Sequence, residues 1–170
     1  MFFIYWEFFE IFTIPVVKGD VRTFLRDPSS ILLTPEAARR YFGSEDPIGK
    51  VLNVRNWWEE DKPHVVAGVI GALPSNSHFH YDFLLPLAST RVIEFGWGSW
   101  YCFNYVLLRE GADWRAVEAK LPGLVDRYLP SLFEGGEAEY RRRLAEGNSY
   151  RYFLQPLFDI HLKSRLEHES

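Results

Sequence analysis

Residues 34–54, TPEAARRYFGSEDPIGKVLNV, set the fold, because three boundaries lie inside them. Thr34 offers a hydroxyl at a helix N-cap, and Pro35 stands where a helix tolerates a missing N–H. Ala37, Ala38, Tyr41 and Phe42 then make one apolar helical face. Gly43 follows as a C-cap, since glycine adopts positive φ without a Cβ penalty. Asp46-Pro47 makes a turn, and Gly49 leads into an alternating strand at 51–54.

The same stretch looks superficially like a phosphate loop, with Gly43 and then Gly49-Lys50. A phosphate loop follows a strand, keeps four residues between its glycines and places Ser or Thr after the lysine. Here the segment follows a helix, five residues (44–48) intervene, and Val51 follows Lys50. Glu45 and Asp46 would also face the phosphates with like charge. A nucleotide site is rejected on these grounds.

Working outward, SSILLT at 29–34 reads as a strand that feeds the Thr34 cap. Upstream, Phe2, Trp6, Phe9 and Phe12 recur at helical spacing, with Glu7 and Glu10 on the other side. That pattern predicts an amphipathic helix closed by Pro15, then a turn at Gly19-Asp20. Downstream, 51–54 and 64–73 read as a hairpin, its polar tip carrying Trp57 and Trp58. Gly68 and Gly71 within the second strand predict a bulge or a close backbone approach. The turn-rich 74–79 leads into a strand over HYDFLLPL, with Tyr81, Phe83 and Leu85 on one face.

The remainder reads as a strand at 101–110, a helix at 113–128 capped by Asp113, a charged exposed helix at 134–146, and a strand at 150–157. Val117, Leu121, Leu124 and Val125 are expected to face inward. This is a strand-helix-helix-strand unit at 101–157. The class is therefore α+β: a mixed β-sheet with helices packed on it, in one domain over 1–170. Two small lobes, 1–100 and 101–170, are expected inside it.

Composition narrows the function. Apolar residues make up 47% of the 170 and charged ones 25%, which suits a folded domain and argues against disorder. A net charge of −4 gives no electrostatic reason to bind nucleic acid. The single cysteine, Cys102, excludes an internal disulfide, and its apolar neighbours supply nothing to lower a thiol pKa. The most apolar stretch, 1–17, is interrupted by Glu7 and Glu10 and is shorter than the ~20 residues of a spanning helix.

Two constellations carry chemistry. His78, His80 and Asp82 alternate, so a strand would place two imidazoles and a carboxylate on one face, a ligand set for a transition metal and hence for a small metal-dependent enzyme. Against this, the helical and loop spacings of common metal sites are absent, and a polar turn accounts for the same residues. The second set is aromatic: Trp57, Trp58, Trp97 and Trp100 sit beside turn residues and could stack on carbohydrate or anchor a peptide. They serve equally well as core. No nucleophile elbow occurs, and the acidic pairs near Glu59 and Glu134 read as solvated charge.

Several stretches together resemble a known family. WEFFEIFTIPVVKGD, the 29–54 segment, HVVAGVIGALPSNSHFHYDFLLPL and YVLLREGADWRAVEAKLPGLVDRY are similar to the MacB-like periplasmic core domain of FtsX-like ABC transporter permeases. The resemblance spans roughly residues 6–169. Its most specific residues here are Tyr41, Phe42, Gly43, Asp46, Pro47, Gly49 and Lys50, with Pro74, Asn76, Ser77 and His78.

The resemblance implies an extracytoplasmic domain on the periplasmic side of the bacterial inner membrane. It implies no catalytic residues and no cofactor. Its partners would be the rest of a permease with its membrane helices, a cytoplasmic ABC ATPase subunit, a second permease copy and a periplasmic protein. The domain would be an interaction and force-transmitting module, coupling ATP hydrolysis to periplasmic export or release. Family members carry a longer stretch before WEFFEIF than the five residues MFFIY seen here, so an N-terminally shortened domain is expected.

Overall fold

The computed structural model describes residues 2–56, 59–71, 77, 80–90 and 104–160, with backbone alone at 56 and 59–60. The chain divides into two units, Met1–Glu94 and Phe95–Ser170.

The first unit is built on a mixed six-stranded sheet. Its strands are β1 (Phe2–Ile4), β2 (Val16–Gly19), β3 (Ser30–Leu33), β4 (Val51–Asn56), β5 (Glu59–Ile70) and β6 (Phe83–Pro86). The order is β1-β6-β3-β5-β2, and β4 also pairs with β5. β1 runs parallel to β6, and β3 runs parallel to β5; the remaining pairings are antiparallel.

β3 lies at the centre, and all four of its residues are buried. Successive side chains point to opposite faces, so both faces must be covered. On one face Ile31 and Leu33 pack with Val66, Leu85 and Ala37. Ala37 belongs to α3 (Pro35–Phe42). On the other face Ser30 donates its hydroxyl to the Phe24 carbonyl of α2 (Val21–Arg26) at 2.7 Å. Phe24 is fully buried. The fully buried aliphatic side chains of this sheet supply its main stabilisation through the apolar area they withdraw from water.

The caps follow local chemistry. Thr34 Oγ1 accepts from the Ala37 N–H at 3.2 Å, and Pro35 occupies the first turn. Gly43 ends α3 with φ of 63°, and its N–H reaches the Arg39 carbonyl at 2.9 Å. β4 and β5 form the expected antiparallel hairpin, with Val51 opposite Val65, but β5 begins at Glu59, inside the stretch expected as a polar tip, and ends at Ile70. Gly68 marks the expected close approach: a Cβ there would lie 2.9 Å from Leu32 Cδ2. The β3–β5 register shifts beside it, between Ile31 and Leu32.

The N-terminal helix is a correction. Residues 2–4 are a strand, and only Phe8–Ile11 forms a helix, α1. Aromatic residues at helical spacing also suit a strand, and the free edge of β6 offers Phe2–Ile4 a hydrogen-bonded partner. Of the expected stripe only Phe9 lies in α1, packing 6.3 Å from Phe24; Phe12 caps the helix end 4.9 Å from Phe8, Phe2 is in β1 and Trp6 is exposed. Gly19-Asp20 is more than a turn. Asp20 caps α2, accepting from the Arg22 N–H at 2.9 Å and the Thr23 hydroxyl at 3.0 Å. These hydrogen bonds, the Arg22 N–H first, hold its carboxyl below the usual value.

The second unit contains α4 (Trp114–Glu118), α5 (Leu121–Tyr128) and α6 (Gly136–Ala145). Asp113 caps α4 as expected, accepting from the Arg115 N–H at 3.0 Å. The single helix expected over 113–128 is two, because Pro122 lacks the N–H that would carry the helix across the junction. Val125 is buried, whereas Leu124 is exposed. The strands expected at 101–110 and 150–157 are also corrected. Residues 104–109 and 150–156 are irregular, although the two helical segments between them are present. Alternation marks a half-buried extended chain; a ladder also needs a partner strand.

Candidate functional site

The segment 43–50 joins α3 to β4 and carries the densest part of the sequence pattern. After Gly43, the Glu45 N–H bonds the Phe42 carbonyl at 3.1 Å, closing a turn directly on the helix end. The Asp46 side chain accepts from the Ile48 N–H at 3.2 Å, an Asx turn that fixes the entry to Pro47. Pro47 is buried and Ile48 packs against the Ile31–Leu33 cluster. The Gly49 N–H then reaches the Val66 carbonyl at 2.9 Å, and Val66 returns its N–H to the Lys50 carbonyl at 2.8 Å. The loop is thus stitched to β5 before β4 begins.

Its charges are paired. Lys18, on β2, reaches Asp46 Oδ2 at 2.7 Å. Lys50 binds Glu45 and lies 5.4 Å from the Phe42 ring centroid. The Lys18 hydrogen bond, aided by the Ile48 N–H, holds the Asp46 carboxyl below the usual range, and Lys50 does the same for Glu45. These pairs are exposed, so they orient the loop more than they stabilise it. The lysine that resembles a phosphate ligand in sequence is bound to its own loop's carboxylate.

The His78, His80 and Asp82 constellation changes character. His78 lies outside the described residues. β6 begins at Phe83, so His80 and Asp82 precede the strand and its alternation does not align them. His80 is exposed. Asp82 Oδ2 is held by Arg40 Nη1 at 3.1 Å, and this bond raises the Arg40 pKa. Among the described residues no three His, Cys, Asp or Glu side chains are grouped for a metal ion. Of the signature residues, Pro74 and Asn76 lie outside the described residues and Ser77 is half-buried. Trp57, Trp58, Trp97 and Trp100 also lie outside the described residues.

Two partners had no sequence signal. Lys18 lies 28 positions from Asp46, and Arg40 lies 42 from Asp82. Only the folded sheet brings them together.

The second unit is organised differently. Phe133, Tyr140 and Tyr150 form an aromatic triangle with centroids 5.8–5.9 Å apart. The Tyr140 hydroxyl donates to Asp126 at 3.0 Å, and burial raises its pKa. On α6, Glu139 accepts from Arg142 and Arg143 at 2.8 Å each, which pushes its carboxyl down to about 2.

The sequence pattern of the MacB-like periplasmic core domain matches residues 2–124, and the chain belongs to that family. No curated protein matches it. Among solved structures, a domain of a protein described as a permease, from Porphyromonas gingivalis, is similar at 26% identity and a TM-score of 0.57. That likeness covers 72% of this chain and 56% of the other. The periplasmic region of MacB from Actinobacillus actinomycetemcomitans is similar at 13% identity and a TM-score of 0.46, over 87% of this chain and 65% of that one. The extracellular domain of the noncanonic ABC-type transporter YknZ from Gram-positive bacteria gives 18% identity and 0.38, over 57% and 46%.

The chain therefore spans a little over half the length of the Porphyromonas structure. Its family consists of extracytoplasmic domains of transporter permeases and is not a class of enzymes. Among the described residues no helix is long and apolar enough to cross a membrane.

Proposed function

We propose that this chain is the extracytoplasmic module of an ABC transporter permease, and that it transmits force and recognises partners rather than catalysing a reaction. Membrane helices of the same permease would carry it, and a cytoplasmic ABC ATPase would drive it. A second permease copy and a periplasmic protein complete the expected assembly.

The observation that carries this reading is the family match over residues 2–124, which takes in the whole sheet and the 43–50 loop. The sheet has the mechanics such a role needs. β1 is hydrogen-bonded to β6, β6 to β3, and β3 to β5. β5 extends twelve residues and carries β4 with it as a hairpin. A displacement applied at β1 passes through three ladders to that hairpin, because each ladder resists shear through several hydrogen bonds at once. The 43–50 loop, hydrogen-bonded to Val66 through both Gly49 and Lys50, ties the end of α3 to β5.

The test is the gene and its product. The full reading frame is expected to encode membrane helices flanking this segment, with an ABC ATPase frame beside it. The full-length product is expected to co-purify with that ATPase from detergent. A frame without membrane helices and without a neighbouring ATPase would retire the proposal.

A further inference from the structure

A cleft of about 340 Å³ opens at the end of the sheet where β3 begins. Pro28 and Ser29 form its floor, Lys62, Pro63 and His64 of β5 form one wall, and Ala88 and Ser89 form the other. The geometry explains it. β5 and the chain leaving β6 both run on past the first residue of β3, leaving a notch between them. Its volume falls at the lower end of the roughly 300–1,000 Å³ usual for small-ligand sites.

Three lining residues offer the notch no backbone donor: Pro28 and Pro63 have no N–H, and the Ser29 N–H is given to Asp27 at 2.8 Å. Among its side chains, His64 and Lys62 add polar groups. His64 is 4% exposed, a burial that a polar ring needs a reason to accept. Its Nδ1 lies 3.1 Å from the Lys62 carbonyl oxygen. A carbonyl only accepts, so Nδ1 carries the proton and donates. Nε2 is left as an acceptor, with no hydrogen-bond partner among the described residues. The Ser89 hydroxyl is turned away, donating to the Pro86 carbonyl at 2.7 Å. Lys62 already holds another contact, and an ammonium has three donors, so it can take a second.

We propose that this cleft binds the C-terminus of a peptide. That group places a carboxylate next to an amide N–H. The carboxylate meets the Lys62 ammonium, the N–H donates to His64 Nε2, and a small side chain lies against Pro28, Pro63 and Ala88. A plain carboxylate lacks the donor that Nε2 needs, and an amidated end lacks the charge that Lys62 attracts. This inference is independent of the coupling role, because it concerns binding by the isolated chain.

The experiment follows the side-chain nitrogens of His64 and Lys62 by NMR in the wild-type chain. Acetyl-trialanine is expected to shift both, saturably, with a Kd of about 1 mM. Its C-terminal amide and propanoate are each expected to bind at least about tenfold more weakly. Lys62→Gln, on an exposed side chain, is expected to weaken acetyl-trialanine about tenfold while leaving the unfolding temperature unchanged. The proposal is overturned if no saturable shift appears at His64, or if the amide binds as well as the acid. It is overturned equally if N-acetylalanine binds and the tripeptide does not, which would assign the cleft to single acylated amino acids.

Discussion

The two units of this chain reach stability by opposite routes. In Met1–Glu94 the interior is mainly aliphatic and assembled from distant segments: Ile31, Leu32, Leu33, Ile70 and Leu84 are fully buried on three different strands, with Phe24 beside them. In Phe95–Ser170 the buried side chains among the described residues are Val125, Pro130 and Tyr140. The rest is held by an aromatic triangle and by ion pairs three or four residues apart along α6. A sheet with a two-sided core resists deformation, whereas short helices with little buried area open locally at low cost. The family match, over residues 2–124, ends within α5 and so covers the sheet-built unit together with only part of the helical one. The contrast therefore assigns mechanical strength to the first unit.

Substitutions can break that contrast, and their effects are ordered. Leu32→Ala removes a fully buried side chain from the central strand, and urea unfolding should show a loss of about 2–5 kcal/mol. Gly19→Ala comes next. Gly19 has φ of 87°, and a Cβ would lie 2.2 Å from the Ala67 carbonyl oxygen. The strained dihedral alone costs about 1–3 kcal/mol, and the backbone overlap adds to it by forcing β2 off β5. The matching control is Gly43→Ala, where φ is also positive but no atom lies within 4 Å, so only the dihedral cost of about 1–3 kcal/mol is expected, with no overlap added. Equal losses at the two positions would show that β2 is not firmly seated.

A cap and a buried hydroxyl sharpen the comparison. Thr34→Ala removes the acceptor for the Ala37 N–H and should cost about 1 kcal/mol in the first unit. Tyr140→Phe removes the bond to Asp126 and should cost about 1 kcal/mol in the second.

The smallest effect is electrostatic. The Glu139 carboxyl is lowered from 4.5 to about 2 by Arg142 and Arg143. A group whose folded pKa is depressed stabilises above its unfolded pKa and loses that contribution as pH falls. The second unit should therefore weaken between about pH 4.5 and pH 2, less so in high salt. Glu139→Gln should flatten that part of the acid titration, followed by circular dichroism. An unchanged profile would place the acid sensitivity elsewhere.

Much of the first unit was legible in the sequence because its boundaries are local chemistry. Thr34-Pro35, Gly43 and the 51–70 hairpin each depend on a few neighbouring residues. The 43–50 segment was read in the same way as a cap, a turn and a strand entry. Misread segments depended on distant partners. Phe2–Ile4 becomes a strand because β6, some eighty residues on, presents an edge. Residues 104–109 and 150–156 have strand-like alternation and no ladder. His80 and Asp82 were aligned on a strand that begins only at Phe83, and Asp82 is engaged by Arg40. The partners Lys18 and Arg40, and the cleft beside His64, arise where separate strands meet, which no local pattern announces.

The central claim is that the sheet from β1 to β5 moves as one body. Native-state hydrogen exchange tests it most directly. The account predicts that the paired amides of β1, β6, β3 and β5 exchange through a single opening with one shared free energy, well above that of the helices at 114–145. Exchange of β1 or β5 through separate, lower-energy openings would contradict it, since force applied at one edge would then be lost before reaching the hairpin.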